Sequence, residues 1–282
     1  MLMEQTITKL NEMKLYGMVK SIEARISRPD HADLSVTDFV GFLVDDEWTD
    51  RQNRKITSRL RSAKFKDQGA CAEDIDFETS RGLTKTKFLE LLQNHWTEKH
   101  QNIVFTGPSG SGKSYLAQAI GNHLCRSGLT VTYMRMPKLA VLLTQVRADG
   151  TYMRALERIR KSRVLILDDL GIGTLNDQQR TDLLEIFEDR YAQGSTIITS
   201  QLPTRQWHEY LGGGIVADGI CDRFLHNAHR IDLQAKEWWR QKFRVRGLRH
   251  NDVTEEMGYA TGHGNYQDRG QPAGSSARDR SV

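Results

Sequence analysis

Eight consecutive residues carry the sharpest chemical signal in this sequence. Gly107-Pro108-Ser109-Gly110-Ser111-Gly112-Lys113-Ser114 fits G-x-x-x-x-G-K-[ST] at every fixed position. The run follows the short apolar stretch Ile103-Val104-Phe105 and opens a helical pattern from Lys113 to Cys125, the strand-to-helix context a phosphate-binding loop needs. Glycines let backbone N–H groups turn toward phosphate oxygens, and a helix N-terminus adds a favourable potential. Lys113 is placed to reach the β- and γ-phosphates of ATP, and the Ser114 hydroxyl to ligate Mg²⁺.

A second run supplies the acids. In Arg163-Val164-Leu165-Ile166-Leu167-Asp168-Asp169 four aliphatic residues end in two carboxylates, so the acids emerge at the C-terminal edge of a buried strand, where open α/β sheets bind ligands. Asp168 is the expected magnesium ligand, directly or through water. Asp169 is the expected general base or water-positioner for attack on the γ-phosphate, with a helix cap or loop acid as the plainer alternative. Thr196 to Gln201 reads as a strand with a polar end. Thr199 and Gln201 share a face by alternation, and Gln201 is the choice for touching the γ-phosphate or the attacking water, against an ordinary strand-end turn. Arg223, at the end of a helical run, is a candidate arginine finger acting on a neighbouring subunit's ATP; the alternative is a surface salt bridge.

These residues need a scaffold, and the sequence outlines one. Strands are expected at 103–105, 129–134, 164–167, 195–199 and 229–233. Helices are expected at 113–125, 137–147, 177–191, 203–210 and 216–224. The alternation implies a three-layer α/β P-loop domain with a parallel sheet. Before it, Thr6 to Arg28 carries a loose apolar helical stripe that Arg28-Pro29-Asp30-His31 breaks. Ser35 or Thr37 is placed to cap a second helix running toward Arg51. Gly69 to Glu78 reads as a connector with Cys71, Ile75 and Phe77 as docking points, and Thr84 to Thr97 as one more amphipathic helix. The expected organisation is a small helical N-terminal domain over 1–80, an ATPase domain over 81–249 and a disordered tail over 250–282.

Composition narrows the class further. With 282 residues and 38% hydrophobic content the chain can bury a sizeable core, and its apolar runs are too short to cross a bilayer. No secretory h-region opens it, so a cytoplasmic protein is expected. Cys71, Cys125 and Cys221 lie far apart and suggest neither a disulfide framework nor a zinc site. The net charge of +4 is mild, but its distribution is not. Arg51, Arg54, Lys55, Arg59, Arg61, Lys64 and Lys66 follow one another without an acid, and 236–249 is nearly as basic. Clusters of this kind suit a polyanion, and Arg51, Arg54, Lys55, Arg59 and Arg61 are the candidate DNA contacts; a solvated helix face is the alternative.

The motifs together resemble a known family. GPSGSGKSYL (107–116), LILDDLG (165–171), DRYAQGSTIITSQ (189–201), Trp207 and DRFLHNAHR (222–230) look like IstB, the ATPase encoded beside the transposase in a class of bacterial insertion sequences, similar to the helicase loader DnaC and of the AAA+ class. The resemblance spans roughly 5–235. It implies an AAA+ fold, ATP-dependent homo-oligomeric assembly on double-stranded DNA, and delivery of that DNA to a transposase that it stimulates. The sequence departs from the family's pattern in having Asp169 where many AAA+ relatives have Glu, and Gln201 where Asn is frequent. It also has Gln234 to Arg240 where a Gly-x-Ser-Tyr-Arg element usually follows the last strand. Three other readings are weighed: a helicase loader, a nucleotide-gated DNA-binding protein with negligible turnover, and a small-molecule kinase. The kinase would need an arginine-rich lid, for which the sequence offers no candidate.

Overall fold

A computed structural model describes residues 2–26, 35–77 and 82–234. The Arg28–His31 break, the basic stretch 236–249 with Arg240, and the tail over 250–282 lie outside the described residues. Three helices open the chain: α1 (Leu2–Glu12), α2 (Tyr16–Ile26) and α3 (Val36–Ala63). The single helix expected from Thr6 onward is thus two. Lys14 adopts a left-handed φ of 59°, and the Leu15 N–H donates back to the Leu10 carbonyl, which ends α1 before α2 begins. Ser35 caps α3 as expected, accepting from the Asp38 N–H.

The α2–α3 contact rests on a carboxylate rather than on a large core. Glu47 is buried and accepts from the Gly17 N–H at 2.7 Å and the Met18 N–H at 3.3 Å, so it caps the open amides at the start of α2 from another helix. Arg51 balances its charge at 2.6 Å. Gly17 is required by proximity, since a Cβ there would lie 2.5 Å from the Glu47 Cα.

Beyond α3 come α4 (Lys85–Leu92), α5 (His95–Glu98), β1 (Asn102–Thr106), α6 (Lys113–Arg126), β2 (Val131–Arg135), α7 (Met136–Ala148) and α8 (Tyr152–Arg160). Then follow β3 (Val164–Leu170), α9 (Asp177–Arg190), β4 (Ser195–Ser200), a 3-10 turn over Thr204–Gln206, α10 (Trp207–Tyr210), α11 (Gly214–Leu225) and β5 (Ala228–Asp232). The expected Thr84–Thr97 helix is broken by Asn94 at φ 63° into α4 and α5. Sequence reading passed over α8, whose Leu156 and Ile159 are buried.

The five strands among the described residues are parallel, in the order β2-β3-β4-β1-β5. Alternate residues of each central strand feed two separate cores. Val164, Ile166, Ile103, Phe105 and Ile197 pack with the end of α3 (Ala63), Phe65, α4, α5 and α6. Leu165, Leu167, Val104 and Ile198 pack with α7, α8, α9, α10 and α11. Burial on both faces explains why these strands read as unbroken aliphatic runs. In the connector, Ile75 and Phe77 pack on the first core, and Phe77 meets Phe88 at 5.5 Å between ring centroids. The three-layer α/β reading therefore stands, with the N-terminal helices in front of it.

Candidate active site

The loop 107–112 leaves β1 at the C-terminal edge of the sheet and enters α6. Gly107, Gly110 and Gly112 have φ of 138°, 78° and 88°, backbone that residues with a Cβ rarely adopt. At Gly107 there is no room either, because a Cβ would run into the Leu233 carbonyl. The segment after β5 is pinned over the loop by the Leu233 N–H, which donates to the Thr106 carbonyl at 2.7 Å, and by Thr106, whose hydroxyl donates to the Asp232 carboxylate.

Lys113 is buried, and its Nζ donates to the carbonyls of Gly107 at 2.8 Å and Pro108 at 2.7 Å. Burial pushes its pKa down, and the nearby carboxylates of Asp169 and Asp168 counter that. A buried ammonium and the open first amides of α6 converge on one concave loop, which fits a polyphosphate by shape and by charge.

Asp168 is 2% exposed and accepts from three hydroxyls. Ser114 donates to its Oδ1 at 2.7 Å, Thr199 donates to the same oxygen, and Tyr133 donates to Oδ2 at 2.7 Å. Burial, then the contact with Asp168, holds the Tyr133 phenol far above its usual pKa, so it stays a donor. Ser114 and Asp168, the two residues expected from sequence to ligate magnesium, thus lie side by side. A hydroxyl and a carboxylate are hard oxygen donors of the kind Mg²⁺ takes. Among the described residues no cluster of three His, Cys, Asp or Glu could hold a metal. An ion here would therefore depend on this pair plus phosphate oxygens.

Asp169 departs from regular strand geometry. It has a φ of 67°, and the β3–β4 register slips between Leu167 and Leu170. This bulge breaks the alternation that would send Asp169 to the opposite layer. Its N–H donates to the Thr199 Oγ1 at 3.0 Å, and its Oδ2 accepts from the Arg135 Nε at 2.8 Å. Sequence reading had no place for Tyr133 and Arg135. Tyr133 lies mid-way along β2 and Arg135 ends it, and only the strand order, which puts β2 beside β3, brings them to the acids.

Gln201 lies exposed just past β4 and lines an open cleft of about 540 Å³ with Gly107 and Pro108, while Thr199 beside it turns inward to Asp168. Arg223 is elsewhere. Its Nε pairs with Glu188 at 2.8 Å, and it lines a small pocket with Asn102 and Thr196, which open β1 and β4. That is the N-terminal edge of the sheet, across from the loop. Of the candidate DNA cations, Arg51 pairs with Glu47 and Arg54 with Asp50 at 2.7 Å. Lys55 and Arg61 are exposed and Arg59 half-buried, and none of the three makes an ion pair among the described residues.

Comparison with known proteins gives the family. The model of the IstB-like ATP binding protein family matches residues 8–247. The chain belongs to that family. A Sinorhizobium fredii protein described as the insertion sequence ATP-binding protein y4pL is 46% identical over 244 residues, covering 86% of this chain and 99% of its own length. A second from the same organism, y4uH, is 36% identical, covering 84% and 95%. A crystal structure of a DNA replication initiation factor superposes with a TM-score of 0.55 at 20% identity, covering 69% of this chain and 60% of that one, and shares the fold. The IstB-like chain is an ATPase with a parallel α/β core.

Proposed function

We propose that this ATPase is a helper of DNA transposition. In this reading it binds Mg²⁺·ATP, assembles with copies of itself on double-stranded DNA in the cytoplasm, and stimulates the transposase encoded by the same element. What supports the reading is the loop 107–114 beside Asp168 and Asp169, in a chain 46% identical to an insertion sequence ATP-binding protein over 99% of that protein's length. A helicase loader would share the fold, but the relatives above carry insertion-sequence descriptions.

In the chemistry proposed, Lys113 leaves the loop carbonyls to hold the β- and γ-phosphates. Ser114 and Asp168 would hold a magnesium ion, which would offset charge on the phosphate oxygens. Asp169 orients a water and takes its proton as the water oxygen bonds to the γ-phosphorus and the bond to the β–γ bridging oxygen breaks, leaving ADP and phosphate. Gln201 would touch the γ-phosphate or the attacking water, and Arg223 of a neighbouring copy would stabilise the developing charge. Lys55, Arg59 and Arg61, which make no ion pair among the described residues, would provide the cations of the DNA surface, with Arg51 and Arg54 as its ion-paired border.

The deciding experiment measures ATP hydrolysis with and without duplex DNA, beside a sizing measurement and a binding assay with the transposase of the neighbouring gene. DNA-dependent assembly and transposase binding are expected. A chain that stays monomeric with ATP and duplex, or that binds a replicative helicase instead, would refute the transposition role.

A further inference from the structure

The small pocket at the strand starts is lined by Lys99, His100, Arg190 and Arg223, and none of the described residues that line it is an Asp or a Glu. Lys99 caps the C-terminal end of α5, and His100 follows with a left-handed φ of 53° before β1 begins. Arg190 ends α9, and Arg223 lies in the last turn of α11. Arg190 is 3% exposed, and its guanidinium meets uncharged oxygens. It donates to the carbonyls of Ile159 and Ser162 at 2.9 Å each, to the Ser195 carbonyl at 2.5 Å and to the Thr196 hydroxyl at 3.2 Å. Burial, and then the neighbouring Arg163, pushes its pKa down to about 10. A buried cation with no anion beside it is costly, and its field is left in the pocket.

The His100 Nδ1 is buried without a hydrogen-bond partner. Lys99 is exposed and makes no ion pair among the described residues. Arg223 is already engaged, by Glu188 at 2.8 Å and Asp222 at 3.4 Å. The cavity volume is about 110 Å³. Pockets for drug-sized ligands run to roughly 300–1,000 Å³, so this one takes a single small group.

We infer that this pocket is an oxyanion site for one phosphate group, with Lys99 and His100 donating to it and Arg190 supplying charge. Lys99 brings three donors, and bonds from a cation to a phosphate oxygen are among the stronger ones. A phosphate oxygen gives the His100 Nδ1 the partner it lacks, and a bound anion favours the charged imidazole against the burial and the Arg163 charge that now oppose it. Arg190 contributes through its field alone, since its donors are spent on carbonyls and a hydroxyl. The group is free phosphate or, if copies assemble head to tail as proposed above, the terminal phosphate of a neighbour's nucleotide.

The test titrates inorganic phosphate into the full chain without nucleotide, at ionic strength held constant with chloride. The His100 ring signal, assigned with His100→Gln, is followed by NMR. A saturable shift with a Kd on the order of 1 mM is expected. It should persist in Lys113→Ala, which separates this pocket from the loop 107–114, and weaken about ten-fold in Lys99→Gln, as for one charged hydrogen bond. Lys99→Met replaces Lys99→Gln if that variant does not fold. A shift that Lys113→Ala abolishes, or that Lys99→Gln leaves at wild-type strength, would overturn the site, because the phosphate then binds elsewhere. If phosphate alone gives no shift, assembly with a non-hydrolysable ATP analogue decides. Assembly weakened about ten-fold by Lys99→Gln at unchanged nucleotide affinity makes a neighbour's nucleotide the source, and assembly that Lys99→Gln leaves unchanged overturns the site.

Discussion

At the scale of single residues, the candidate site gives each charge a neighbour that holds it in place. Lys113 is the plainest case. Its ammonium is buried against two carbonyls, so its removal takes away the only cation inside the loop without opening the fold. Lys113→Ala is expected to weaken ATP binding at least ten-fold, on the order of 1.5–3 kcal/mol for a charged hydrogen bond, with the melting temperature little changed. Equilibrium nucleotide binding checks it, and normal affinity in the folded variant would contradict the site. Asp169→Asn should bind ATP and hydrolyse it at least 100-fold more slowly, as expected when a general base is lost. Single-turnover kinetics separate that from weak binding. The loop and both acids were legible in the sequence because their spacing is local. Tyr133, Arg135 and the inward turn of Thr199 were not. Nothing in a strand's own residues says which strand lies beside it, and alternation alone could not choose between Thr199 and Gln201.

At the scale of elements, the α2–α3 contact has one buried acid, Glu47, beside the more exposed bonds of Asp46 to Ser21 and Arg25 and of Asp50 to Lys20. Burial pushes the Glu47 pKa up, but the Arg51 contact and the amides of Gly17 and Met18 pull it down further, so the net shift is below the ordinary glutamate value. A depressed carboxylate stabilises fully above its unfolded pKa, about 4.3, and that contribution is lost as pH falls through the folded value. The α2–α3 contact should therefore hold at neutral pH and loosen below about pH 4, which amide exchange in α2 would show and Glu47→Gln would mimic at pH 7. Gly17→Ala tests the same contact sterically. The helix-propensity gain of up to about 1 kcal/mol is opposed by a Cβ pressed on the backbone of α3, an overpacking cost of ~1–3 kcal/mol, so net destabilisation is expected in a denaturant melt. The α3 cap was readable from Ser35, yet the breaks at Lys14 and Asn94 were not, since neither is the glycine that usually marks a left-handed turn. The same helix narrows the DNA surface. A cation already matched by Glu47 or Asp50 releases few counterions, so the triple variant Lys55→Ala/Arg59→Ala/Arg61→Ala should lower the salt slope of duplex binding by up to about three units, and Arg51→Ala by much less. Equal slopes for the triple variant and wild type would place the DNA surface elsewhere.

At the scale of the whole molecule, the two candidate halves of the hydrolytic machinery sit on opposite edges of one sheet. Lys113, Ser114 and the acids crowd the C-terminal edge, while Arg223 shares its pocket with Asn102 and Thr196 at the strand starts. A strand of five or six residues spans roughly 15–20 Å, beyond the reach of an arginine side chain, so Arg223 cannot serve its own ATP. If it acts at all it acts on another copy, and two different surfaces then meet at each contact. Such head-to-tail contacts repeat into a ring or a helical filament. Glu188 holds Arg223 ready at 2.8 Å, a surface ion pair weak enough to be exchanged for a phosphate. The arrangement makes a quantitative forecast. Arg223→Ala should bind ATP normally and lose hydrolysis, and Lys113→Ala should lose both. Mixed in equal amounts, the two should regain roughly a quarter of wild-type turnover, because in random head-to-tail assembly one contact in about four joins an intact loop to an intact arginine. A mixing series with sizing in parallel reads this directly. Proven mixed assemblies that stay inactive at every ratio would leave Arg223 as a surface ion pair with Glu188.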